Sequence, residues 1–272
     1  MNTKWNMTFF MFIGLAGACM LLYSSAAGYF NRYSSTKHRI YALPAGVSCT
    51  AAALIVLLGI NDFSRMLNIL MRPYSGLSSA VLAQVAAAFA GFILFFRDSG
   101  KQTLKAVSVL LSLVSVFCIA RYYMMVARPA LDTHILTMLF MAAVIFGTWL
   151  LMSLNSDFNS GAEAEIKTGL GIVAVCGILL AVFVARMAFL TAEDRILSAH
   201  KLIAGDYSIL FWALAVLLFF VPFALLIISL AKKRICMPVL CGASFAAGVF
   251  LLSVLINQMP VVKDSINNRI IF

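Results

Sequence analysis

Eight long apolar stretches, at about residues 7–29, 41–60, 78–96, 104–126, 134–154, 168–190, 208–230 and 236–257, leave this chain few folds to choose from. Each approaches or exceeds the roughly 20 residues that a helix needs to cross the hydrocarbon layer. Within lipid a backbone must satisfy its own hydrogen bonds, and a helix does so along its whole length. The sequence therefore predicts an all-α integral membrane protein, a bundle of eight transmembrane helices forming one membrane domain over residues 1–272. Composition agrees: 63% of the residues are hydrophobic and 11% charged, too little polar surface for a water-soluble domain of this size. The first stretch reads as an uncleaved span, because its apolar core exceeds that of a signal peptide and Lys4 is the only basic residue ahead of it.

The formal net charge of +10 does not point to nucleic acid, because it is carried by short segments between the spans. With eight spans both termini fall on one side, and basic residues divide evenly between the two sides. Compact clusters decide the orientation. Arg32, Lys37 and Arg39, then Arg97, Lys101 and Lys105, then Lys232, Lys233 and Arg234 all lie opposite the termini, as expected of cytoplasmic loops. Both termini are therefore expected to be extracytoplasmic. Arg65, Arg72, Arg121, Arg128, Arg186 and Arg195 then lie near the outer surface, either anchoring helix ends by snorkelling or holding an anionic headgroup, a partner or a ligand. On the same side, 191–207 and 60–76 carry apolar residues at helical spacing, which predicts short helices along the surface.

Much chemistry is missing. No Walker loop, Rossmann glycine pattern, HExxH or GxSxG element occurs. The six cysteines form no CxxC pair and read as small hydrophobes. His38, His134 and His200 do not make the intramembrane pair that a haem requires, so neither haem nor metal is expected in this chain. None of the ten acids is central to a span, which argues against a proton or sodium transporter. Prolines 44, 222 and 238 do not form the paired broken helices of an inverted-repeat carrier. Two polar residues remain of interest. Gln84 lies about two turns into the third span, where its amide either bonds a neighbouring helix or meets a carbonyl ligand. His134 begins the fifth span, where it caps the helix or contacts a quinone.

"SRMLNILMRPYSGLSSAVLAQ", residues 64–84, resembles the segment after the second helix in the membrane-anchor subunit family of dimethyl sulfoxide reductase, within the broader polysulfide- and nitrite-reductase anchor superfamily. The family's arginine, asparagine, and leucine followed by a basic residue fall here on Arg65, Asn68, Leu70 and Arg72. "MMVARPALDTH" at 124–134, followed by "LTMLFMAAVIFGTWLL", resembles the same family's passage from helix four to helix five. The similarity covers about half the chain. It implies a subunit of the prokaryotic cytoplasmic membrane that binds menaquinol and passes electrons to an iron–sulfur subunit. That subunit and a molybdopterin catalytic subunit would dock on the extracytoplasmic side.

The chain departs from the family where the quinol chemistry sits. The family's histidine before the arginine is absent, residues 59–62 reading Gly, Ile, Asn, Asp. Its helix-three carboxylate aligns with Gln84, an amide that hydrogen-bonds but accepts no proton as a base. Under this reading Asp62 and His134 are the candidates to move a proton, and Arg65, Tyr74, Gln84, Arg121 and Arg128 the candidates to hold the headgroup or dock the partner. Two other readings stand beside it: a structural anchor without a competent quinone site, and a small-solute transporter.

Overall fold

The computed structural model describes residues 3–29, 35–59, 71–72, 75–97, 102–124, 133–155, 162–189, 199–231, 238–258, 262–263 and 270–271. Eight helices in it are long and apolar enough to cross a membrane, and the chain is a multi-pass membrane protein of all-α class. They are α1 (Thr3–Tyr29), α2 (Ser35–Leu58), α3 (Gly76–Phe96), α4 (Gln102–Tyr123), α5 (His134–Asn155), α6 (Ala162–Phe189), α7 (Ser208–Ala231) and α8 (Pro238–Gln258). Beyond α8, Val262–Lys263 (β1) pairs antiparallel with Ile270–Ile271 (β2). The helices start and stop near the expected boundaries, except that α2 and α6 each begin six residues earlier, carrying "STKHRI" and "AEAEIK". Lys167 and Glu163 pair there at i,i+4, at 2.6 Å and well exposed, so the extension of α6 is a solvated turn worth little stability.

Internal contacts divide the chain into two compact units. The first comprises residues 1–122 and 147–157, hence α1 to α3, α4 as far as Tyr122, and the second half of α5. Its helices meet through small residues, as helices must when lipid offers no hydrophobic drive to associate. A Cβ added at Gly17 would come 2.7 Å from the Cys49 sulfur, and one at Gly91 would come 2.9 Å from the Gly46 backbone nitrogen. Contacts this close leave α1, α2 and α3 backbones almost touching. Tyr23 of α1 and Tyr41 of α2 meet edge-on with centroids 4.9 Å apart. The Ser112 hydroxyl of α4 donates to the Ala18 carbonyl of α1 at 2.7 Å.

The second unit comprises residues 123–146 and 158–272. Phe146 of α5 packs edge-on against Phe245 of α8, centroids 4.7 Å apart, and Asn257 of α8 donates to the Tyr123 hydroxyl at 3.3 Å. Part of the surface helix expected within 191–207 is present, as a helical turn at 199–203 closed by the Trp212 indole donating to the Ile203 carbonyl at 3.3 Å. Residues 191–198 lie outside the described residues, as does most of the other expected surface helix, 60–70 and 73–74.

Helix α7 contains a feature that hydropathy does not reveal. Its middle, Val216–Phe220, is π-helical, with the Val221 N–H bonded to the Val216 carbonyl five residues back. The next bond in that register would run from residue 222 to Leu217, but residue 222 is proline and has no N–H. The carbonyl of Leu217 is instead met by the Ser244 hydroxyl of α8, which donates at 2.8 Å. Gly248, one turn further along α8, lets the two backbones close: a Cβ there would fall 2.8 Å from both Leu218 N and Cα.

Ser244→Ala is expected to leave the Leu217 carbonyl unpaired and to cost about 1 kcal/mol, in the range of interhelical hydrogen bonds in membranes. Gly248→Ala is expected to cost more, because the clash is with backbone that no rotamer relieves. Thermal unfolding in detergent measures both, and a Gly248→Ala variant as stable as wild type would contradict the close α7–α8 approach.

Candidate functional site

Hydroxyls in the spans look after themselves. Ser25, Thr50, Ser108, Ser229 and Ser253 each donate to the carbonyl four residues back in their own helix, at 2.7 to 2.9 Å. A serine or threonine thereby meets the demand that lipid places on every polar group. A glutamine is too long and too rich in donors and acceptors for that solution, having two N–H donors and a carbonyl acceptor.

Gln84 shows the consequence. It sits in α3, fully buried at 0% exposure, and neither its Nε2 nor its Oε1 has a hydrogen-bond partner. Around it are α1 and α4: a Cβ at Gly14 would lie 3.0 Å from Gln84 Nε2 and 3.0 Å from Ile119 Cδ1. The glycine leaves the amide its space, and the isoleucine side chain reaches the same spot. An amide in such a setting costs about 1–3 kcal/mol relative to a satisfied one. The interhelical bond that would account for it structurally is not formed.

The start of α3 adds more polarity. Ser75 caps the helix, its hydroxyl accepting from the Ser78 N–H at 3.2 Å. The Ser78 hydroxyl is itself buried without a partner, and so is Oδ1 of Asn6 near the start of α1. Asn6 lies against the end of α2, where a Cβ at Gly59 would meet its Nδ2. Gly76 touches the end of α4, a Cβ there lying 3.2 Å from the Tyr122 Cα. Starts of α1 and α3 and ends of α2 and α4 thus share one end of this unit, which holds Asn6, Ser78, Gln84 and Arg121.

The residues singled out by sequence fare differently. Gln84 is buried in this polar end. Arg121 stands exposed in the last turn of α4, where a cation also favours the helix dipole. His134 belongs to the second unit. It is the exposed first residue of α5, and the capping role falls to Thr133, whose Oγ1 accepts from the Ile135 N–H at 3.3 Å. Asp62, Arg65, Tyr74 and Arg128 lie outside the described residues. Among the described residues no group of three or more His, Cys, Asp or Glu could hold a metal ion.

Asn6 was missed because its helix begins with "TKWNMT", where an asparagine reads as an interfacial residue rather than a buried one. No protein-family model matches the chain, and no curated protein matches it either.

Replacing Gln84 by methionine, similar in volume but without the amide, removes an unsatisfied polar group. The Gln84→Met chain is expected to unfold about 2–4 °C higher than wild type in the same detergent. A lower midpoint would show that the amide is satisfied in the folded protein.

Proposed function

We propose that this chain is the membrane-anchor subunit of a molybdopterin oxidoreductase in a prokaryotic cytoplasmic membrane, and that it binds menaquinol beside Gln84. The observation that carries the reading is the fully buried, unpartnered Gln84 amide. Its Oε1 accepts from a quinol hydroxyl and its Nε2 donates to a quinone carbonyl, so the one side chain serves both states of the headgroup. The surrounding hydrocarbon of Ile119 suits the ring and its tail. The eight spans and the resemblance of residues 64–84 and 124–134 to the dimethyl sulfoxide reductase anchors support the same reading.

Because the amide is buried, the headgroup reaches it only by opening the contact among α1, α3 and α4, which makes Gly14 and Ile119 the groups that set access. Gln84 accepts no proton as a base, so proton release falls to another group, for which Asp62, between the second and third spans, is the candidate. On this reading the termini face the extracytoplasmic side, where the iron–sulfur and molybdopterin subunits dock and Arg121 offers a cation to the partner.

The test is purification of the native complex in mild detergent, with subunits identified by mass spectrometry and bound lipids extracted for quinone. Iron–sulfur and molybdopterin partners with about one menaquinone per chain are expected. Gln84→Met is expected to lower quinol-dependent reduction of the clusters at least about ten-fold, the loss of roughly 1.4 kcal/mol of headgroup binding, while the complex stays assembled. Partners without quinone would leave a structural anchor, and a chain purified alone would favour a small-solute transporter.

A further inference from the structure

The Leu217 carbonyl of α7 has two donors within reach of its chemistry. In the π register the Val221 N–H goes to Val216, and the Ser244 hydroxyl of α8 donates to Leu217 at 2.8 Å. In an α register the Val221 N–H belongs to Leu217, four residues back, and Val216 receives the Phe220 N–H. Ser244 is then free to turn to the Leu240 carbonyl of its own helix, as Ser25, Ser229 and Ser253 do in theirs. Each of these groups is met in either register, as lipid demands. The two differ by an exchange of partners, not by a lost bond. Where the registers join, the Val216 N–H is already shared between the Ala213 and Trp212 carbonyls.

The surroundings leave room for both. Glycines flank the wide turn on two sides: a Cβ at Gly177 of α6 would lie 2.5 Å from the Phe219 ring, and one at Gly248 of α8 would lie 2.8 Å from Leu218 N. No side chain of either glycine interlocks with the segment. From Ile209 to Ala215 the first half of α7 is apolar on every face. Ile209 and Trp212 outside are as apolar as Phe211 and Leu214 inside, so turning this half brings no charge or amide into lipid. Phe211 also borders a small gap lined by hydrocarbon alone, among Leu180, Phe183, Leu202, Leu252 and Leu255. Pro222 decides which register rests, because its ring crowds the carbonyl four residues back in a plain α-helix, and the π turn relieves that crowding.

We propose that α7 is a two-state hinge, π-helical at rest and held there by Ser244. Conversion passes the Leu217 carbonyl from Ser244 to the Val221 N–H and turns residues 208–215 about the helix axis by one residue's step. That turn takes the Trp212 indole off the Ile203 carbonyl and releases the 199–203 turn from α7. A change of pairing in mid-membrane is thereby felt at the surface end of the span. The α state gives up the packing of Phe211 and Leu214, which keeps it the minor one. The hinge does not rest on the quinol reading.

Fluorine NMR of the full chain in detergent, labelled with 5-fluorotryptophan, reads the hinge at Trp212. The chain has three tryptophans, and the Trp212 signal is the one lost in Trp212→Phe. Wild type is expected to show a minor state in exchange at Trp212. Ser244→Ala, which removes one interhelical hydrogen bond, is expected to raise its population about five-fold. Ser244→Thr, which keeps the hydroxyl, and Ser253→Ala, whose hydroxyl serves α8 alone, are expected to match wild type. Pro222→Ala joined to Ser244→Ala is expected to make the second resonance the major one, with Trp5 and Trp149 unmoved. A simple flip of the indole would ignore Ser244 and Pro222. A Trp212 signal of wild-type shift and width in both Ser244→Ala and the double variant would therefore overturn the proposal, and Ser244→Ala alone decides if the double variant does not fold. Equal growth of the second resonance in Ser253→Ala, or shifts at all three tryptophans, would also overturn it by showing a general loosening of the bundle.

Discussion

Hydrocarbon offers no hydrogen bonds, and every polar atom inside this molecule must find its partner within the protein. That constraint explains most of what is seen. Backbone groups are absorbed by helices. Hydroxyls of Ser25, Thr50, Ser108, Ser229 and Ser253 return to their own helix. Ser112 and Ser244 instead reach across, each tying two helices by a carbonyl that the neighbour offers. Against that background Gln84 stands out, its buried amide unmatched among the described residues. Such an amide is costly to keep in lipid, and function is the usual reason for keeping one.

Packing follows from the same solvent. Lipid chains are as apolar as leucine, so helices gain little by hiding hydrocarbon from them and associate where backbones fit closely. Gly17, Gly46 and Gly91 mark that fit in the first unit, and Gly248 in the second. Large side chains such as Phe89, Leu110, Ile178 and Ile209 are left on the outside, where in water they would signal an interface and in lipid they are merely the wetted surface.

The spans were legible because hydropathy reports directly on the solvent, and the eight helices lie where the apolar runs do. Gln84 was legible as an oddity, since an amide in an apolar run is rare. Its burial without a partner was not, because that depends on Gly14 and Ile119, far away in sequence. The π-helical segment was invisible: "VLLFF" is as apolar as its flanks, and Pro222 alone does not distinguish a kink from a bulge. Nor did Thr133 and Arg186 suggest each other, being separated by an entire hairpin of spans. The roles expected of Asp62, Arg65, Tyr74 and Arg128 rest on sequence alone.

The extra residue in α7 also changes how that span is addressed. A π turn inserts one residue without lengthening the helix by a full step, so it turns everything after it by roughly 100° relative to an unbroken α-helix. The stripe that begins at Phe211 and Leu214 is therefore out of phase with the stripe that ends at Leu226 and Ser229. The first half packs against the 199–203 turn and α8, and the second against α6 and α8. Shortening the segment by one residue would let α7 wind as a plain helix, but it could then satisfy only one of its two sets of partners.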